Sequence, residues 1–95
     1  MGALWIAHVT VTDAEAYGKY AELVGPAIAK HGGSFIARGG KFVQLEGKER
    51  PRNVVAKFPS VEAAVDCYNS PEYQEALSHA RAASERELMV VETSE

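Results

Sequence analysis

Tyr68-Asn69-Ser70-Pro71-Glu72-Tyr73 stands between two alanine-rich segments of helical spacing, and its reading decides how the second half of the chain folds. Ser70 offers a hydroxyl to the first free amides of a helix. Pro71 suits a first helical position, where no amide hydrogen is needed, and Glu72 adds the negative charge a helix start favours. The stretch therefore predicts that one helix ends and a second begins, the second running from Pro71 to about Ala83. It also gathers two phenols, an amide, a hydroxyl and a carboxylate, so Tyr68, Asn69, Ser70 and Tyr73 are candidate pocket residues as well as corner residues.

Working outward, Pro59-Ser60 opens the first of these helices, with Val61, Ala64, Val65 and Tyr68 expected as its buried stripe. Asn53–Phe58 before it and Glu87–Glu92 after the pair read as strands. At the N-terminus Trp5–Val11 is rich in β-branched and aromatic residues and predicts a first strand. Thr12 and Glu15 then have the spacing of a capping box, and Tyr17, Tyr20, Val24, Ala27, Ile28 and His31 recur at helical intervals. Gly25-Pro26 predicts a kink or short break in that helix, which Gly32-Gly33 ends. Ser34–Arg38 reads as a second strand and Lys41–Glu46 as its continuation past a bulge or bend at Gly39-Gly40. The order β-α-β-β-α-(α)-β predicts an α+β, ferredoxin-like βαββαβ fold: a four-stranded antiparallel sheet with helices on one face.

The 95 residues fit a single domain over 1–95, with a large surface for its volume. Neither face of the first strand reads as fully solvated, which predicts a second layer supplied by another copy, a homodimer. A formal charge of −3 gives no reason to expect nucleic acid or an anionic membrane as partner. The apolar run Ala3–Val11 is short, lacks a basic leader and is broken by His8, as a strand would be and a signal peptide or membrane span would not. The protein is expected to be cytoplasmic. Cys67 is the sole cysteine, so there is no intramolecular disulfide, and its helical position predicts an inert buried thiol.

Strand parity gives the candidates for chemistry. Side chains two apart share a face, so Ser34, Ile36 and Arg38 are expected together, as are Asn53, Val55 and Lys57, and Leu88, Val90 and Glu92. If the more polar parities point one way, His8, Arg38, Lys57 and Glu92 converge on the side away from the helices. His8 would then be a catalytic acid–base group and Arg38 an anion clamp; the alternative is a set of ion pairs that fixes a dimer interface. The histidines His8, His31 and His79 have no HxH, HxxxH or HExxH spacing, so no metal site is expected, and no cofactor fingerprint is present.

Several motifs together resemble the bacterial family called domain of unknown function 1330. They are Trp5-Ile6-Ala7, Gly32-Gly33 with Phe35, Arg38-Gly39-Gly40, Leu45-Glu46-Gly47, Pro51-Arg52-Asn53-Val54-Val55, Phe58-Pro59-Ser60 and Tyr68-Asn69-Ser70-Pro71-Glu72-Tyr73. The resemblance implies a dimeric α/β barrel made of two ferredoxin-like sheets. In several relatives of that superfamily the pocket lies between sheet and helices, which would make Tyr17, Tyr20, Tyr68 and Tyr73 its lining. The combined expectation is a small, carboxylated or aromatic ligand, with cofactor-free proton transfer or monooxygenase-type chemistry. A non-catalytic binding or accessory dimerisation module is the alternative, since one fold hosts many functions.

Overall fold

A computed structural model describes residues 1–95 and shows seven elements: β1 (Ala3–Val11), α1 (Ala14–Lys30), β2 (Ser34–Arg38), β3 (Arg52–Phe58), α2 (Val61–Asn69), α3 (Pro71–Ala80) and β4 (Ser84–Glu92). The strands form one antiparallel sheet in the order β2-β3-β1-β4, the ferredoxin-like arrangement. Ala3, Trp5, Ala7 and Val9 of β1 and Val54, Ala56 and Phe58 of β3 are buried under the helices. Period-two alternation along both strands accounts for this, since every second side chain meets the same layer.

The central motif folds as its residues require. Ser70 ends α2 and caps α3: its Oγ accepts from Tyr73 N at 3.2 Å and donates to Cys67 O at 2.7 Å. This turn delivers Tyr73 to the core, where its ring meets Trp5 edge-on with centroids 5.0 Å apart. Cys67 is fully buried on α2, and burial pushes its thiol up to about 11, so it packs as a small apolar group.

Four local readings are corrected. The N-cap of α1 is Asp13, whose carboxylate accepts from Ala16 N at 3.2 Å, and not Thr12. Thr12 is unavailable because its amide and that of Asp13 both donate to Ala83 O, at 2.8 and 3.1 Å, which holds the chain extended one residue longer. α1 runs unbroken through Pro26. The carbonyl that Pro26 leaves without a donor belongs to Glu22, and both residues are exposed, so water can serve it. α3 stops at Ala80, before a turn that leads into β4.

The fourth correction concerns Lys41–Glu46, which is not a strand. β2 ends at Arg38, and residues 39–51 form an irregular loop with Val43 and Leu45 exposed. Gly39 turns the chain away with a φ of +74°, and its amide makes a last bond to Asn53 O at 3.0 Å. Alternation alone does not make a strand without a ladder partner.

Two outcomes check this packing. Ser70→Ala should lower stability by about 1–2 kcal/mol, read as a fall in Tm of about 5–10 °C, because it removes a buried cap. At Gly33 an added Cβ would lie 2.7 Å from the Phe58 ring and 2.8 Å from Ile28. Gly33→Ala should therefore cost about 1–3 kcal/mol by overpacking, measured by denaturant unfolding.

Candidate functional site

A bulge at Ile36 decides where Arg38 goes. Phe35 pairs with Ala56 but Ala37 pairs with Val55, so Ile36 is an extra residue and the parity of β2 inverts beyond it. Arg38 is thereby set opposite Val54, on the helix face, where its Nη2 donates to Ala21 O of α1 at 3.0 Å. His8 lies opposite Asn53, on the other face. The expected convergence of His8, Arg38, Lys57 and Glu92 is therefore not formed. Glu92 pairs with the buried Ala3 and belongs to the helix side, and Lys57 stands opposite Leu4, four positions along the sheet from His8.

In place of those partners, His8 has neighbours that parity alone did not select. Its Nδ1 lies 2.6 Å from Asn53 Oδ1, and Asn53 Nδ2 donates to Arg50 O at 3.0 Å. With the amide oriented that way, His8 Nδ1 is the donor to Asn53 Oδ1. Arg50 is buried although it belongs to a loop: Nε donates to Glu87 at 2.9 Å and Nη1 to Thr10 at 3.0 Å, with Glu85 3.5 Å away. The bond from Arg50 holds the Glu87 carboxyl below its usual range. The polar end of this open face gives way, along β1, β3 and β4, to Leu4, Ile6, Val55, Met89 and Val91.

The helix side carries the phenols. Tyr20 and Tyr73 bring their oxygens to 2.9 Å, and Arg86 Nη2 donates to both, at 2.9 and 3.2 Å. Burial raises the pKa of both phenols, so they stay protonated across the physiological range. Burial also works against the charge on Arg86, but the phenol oxygens outweigh it and the guanidinium remains a cation. Tyr17 packs on Tyr20 at 5.1 Å between centroids.

Arg86 also forms part of a surface groove. One stretch, of about 410 Å³, is lined by Tyr68, Leu77, Arg81, Ser84, Arg86 and Leu88. A second, of about 360 Å³, is lined wholly by apolar and aromatic side chains, with Trp5, Val61, Val65 and Val90 among them, and it shares Tyr68 and Leu88 with the first. The result is a groove between β4 and the helices α2 and α3, cationic at one end and apolar at the other. Its size is that of a small-molecule site.

Of the residues singled out in the sequence, the fold thus brings Tyr17, Tyr20, Tyr68 and Tyr73 to the helix side together with Arg38, and leaves His8 behind the sheet. Asn69 is exposed at the end of α2, and both hydrogen bonds of Ser70 are spent on the corner. Arg86, Arg81, Arg50 and Arg52 were not singled out. Arg86 could have been found from the antiparallel register, because it is the β4 partner of Val9 in the core. The irregular loop around Arg50 has no periodicity to read.

The structural comparisons agree with this architecture. A protein of unknown function from Rhodopseudomonas palustris is 25% identical, with a TM-score of 0.81 over 99% of this chain and 83% of its own. SnoaB, a cofactor-independent oxygenase from Streptomyces nogalater, is 13% identical, with a TM-score of 0.66 over 99% and 94%. A dimeric ferredoxin-like protein of unknown function from Thermobifida fusca is 18% identical, with a TM-score of 0.62 over 96% and 90%. No curated protein sequence matches the chain. No helix is long and apolar enough to cross a membrane, and no group of three or more His, Cys, Asp or Glu side chains is placed to hold a metal ion. The model of the family described as domain of unknown function DUF1330 matches residues 2–94, and the chain belongs to that family.

Proposed function

We propose that the protein is a cytoplasmic homodimer that binds a small, carboxylated or aromatic metabolite in the groove between β4 and the helices α2 and α3. The observation that carries the reading is the polarity of that groove. Arg81 and Arg86 stand at one end with no carboxylate paired to either, and Tyr68, Trp5, Leu88 and Val90 line the rest. Guanidinium groups recognise planar oxyanions through paired N–H donors, and aromatic walls favour a flat ligand body. Anion holding passes in this reading from Arg38 to Arg81 and Arg86.

The chemistry that fits is stabilisation of an enolate or phenolate form of the ligand, the electron-rich state from which cofactor-free proton transfer or oxygenation proceeds. The likeness in fold to SnoaB supports that direction. A second reading, binding without catalysis, is favoured by one observation: the groove of a single chain holds two permanent cations and one phenol but no carboxylate or histidine to act as general base. Dimerisation is supported by the apolar Leu4, Ile6, Val55, Met89 and Val91 on the open face and by the dimeric relative of the same fold. His8 and its partners would then border the subunit contact and act on its register, or serve as an acid–base group there.

Native mass spectrometry of gently purified protein should show a dimer carrying an acidic, aromatic small molecule. On titrating the recovered molecule, Arg81→Gln and Arg86→Gln should each bind it about ten- to hundredfold more weakly, and His8→Ala should bind it unchanged. Retention that is insensitive to both arginines but lost in His8→Ala would place the ligand on the other side of the sheet.

A further inference from the structure

Beneath α1 lies a second, smaller compartment that the groove reading does not use. Arg52 and Arg86 are both cross-strand partners of Val9, one from β3 and one from β4, so they flank it on the helix face. Arg38 stands two positions along on the same face, opposite Val54. All three line a small, partly enclosed cavity of about 20 Å³ together with Tyr17, Tyr20 and Trp5. Each guanidinium lies over an aromatic ring: Arg38 over Phe35 at 4.2 Å, Arg52 over Tyr17 at 5.9 Å and Arg86 over Tyr20 at 4.7 Å. The backbone leaves room for Arg52, since a Cβ on Gly39 would stand 2.8 Å from its Nη1.

Hydrogen-bond accounting makes this compartment unusual. The structure has three ion pairs, Lys30–Glu72, Arg50–Glu85 and Arg50–Glu87, and none involves these arginines. Nε of Arg52 and Nε of Arg86 are both buried without a partner. The phenols add to the surplus: Arg86 already donates to both oxygens, and only one of the two hydroxyl protons can serve the Tyr20–Tyr73 bond. Two guanidinium groups, each with an unspent Nε–H, thus face a space that no carboxylate lines, and the exposed Arg38 stands at its rim. The guanidinium groups of Arg52 and Arg86 are partly exposed but these two Nε–H groups are not, and buried donors are almost always satisfied.

We infer that this compartment binds a small, acceptor-only anion held between Arg52 and Arg86. A cavity of about 20 Å³ admits an occupant about one heavy atom across. That atom is either a free halide-type ion or one oxygen of a carboxylate that passes Arg86 from the groove, since Arg86 and Trp5 line both spaces. The inference does not rest on the groove reading, because Arg52 lines only the inner cavity and Arg81 only the groove.

Crystals grown in sodium bromide and measured at the bromine edge should show an anomalous peak within hydrogen-bonding distance of Arg52 Nε and Arg86 Nε. Adding sodium benzoate separates the sources: a bromide that stays marks a free-ion site, and a bromide replaced by a benzoate oxygen marks the end of a groove ligand. In solution, replacing sodium isethionate by bromide at constant ionic strength should raise the wild-type Tm by about 5 °C. That rise should disappear in Arg52→Lys, which keeps the charge but not the Nε–H, and in Arg52→Gln, and persist in Arg81→Gln. Peaks confined to the surface, an adventitious ion only, or an equal rise in all four proteins would overturn the inference.

Discussion

The buried hydroxyl of Tyr73 is the contact on which the helix side of this protein depends. Its ring is fully enclosed against Trp5, its oxygen meets Tyr20 of α1 at 2.9 Å, and Arg86 of β4 donates to it at 3.2 Å. One side chain thus joins two helices to an edge strand. Tyr73 occupies this place because Ser70 caps α3 three residues earlier and so fixes the helix start. A cation brought under the helices by β4 is tolerable there because two neutral phenols, rather than hydrocarbon, receive its donors.

Arg86 in turn divides the helix side into an inner compartment and an outer groove. The inner one collects Arg38, Arg52 and Arg86 without a carboxylate, whereas every carboxylate paired to arginine lies on the open face around Arg50. The sheet therefore sorts its charges. Guanidinium groups without a carboxylate gather on the helix side, where Arg52 and Arg86 are partly buried, and the paired Arg50 sits where a second subunit would lie. Both proposals made above follow from that sorting, since a cation in a partly dry site attracts acceptors more strongly than one in solvent.

Much of the architecture was legible in the residues. Alternation in Trp5–Val11 and Asn53–Phe58, the stripe of α1 and the Ser70-Pro71 corner all have local physical causes, and each element appears in the expected order. The stripe of α2 differs, with Ala64 and Cys67 buried, Val61 and Tyr68 half-buried and Val65 exposed. What escaped were features set by pairing rather than by local preference. The extra residue at Ile36 inverts a face that simple parity assigned to Arg38, and the antiparallel register brings Glu85 and Glu87 beside β1 where Glu92 was expected. Lys41–Glu46 pairs with no strand of the sheet, because the chain turns away at Gly39. The four phenols lie on the helix side, with Tyr73 enclosed in the core, and the arginines beside them are visible only once register is known.

The central claim is that the ligand-binding side of the sheet is the one Arg86 faces. It can be tested by NMR of the folded protein, following the arginine Nε–H signals and the His8 ring while sodium benzoate is added. The account predicts saturable shifts of Arg86 and Arg81, with movement of the Leu88 methyls and little change at His8. Shifts centred on His8 and Arg50, with Arg86 and Arg81 unmoved, would contradict it.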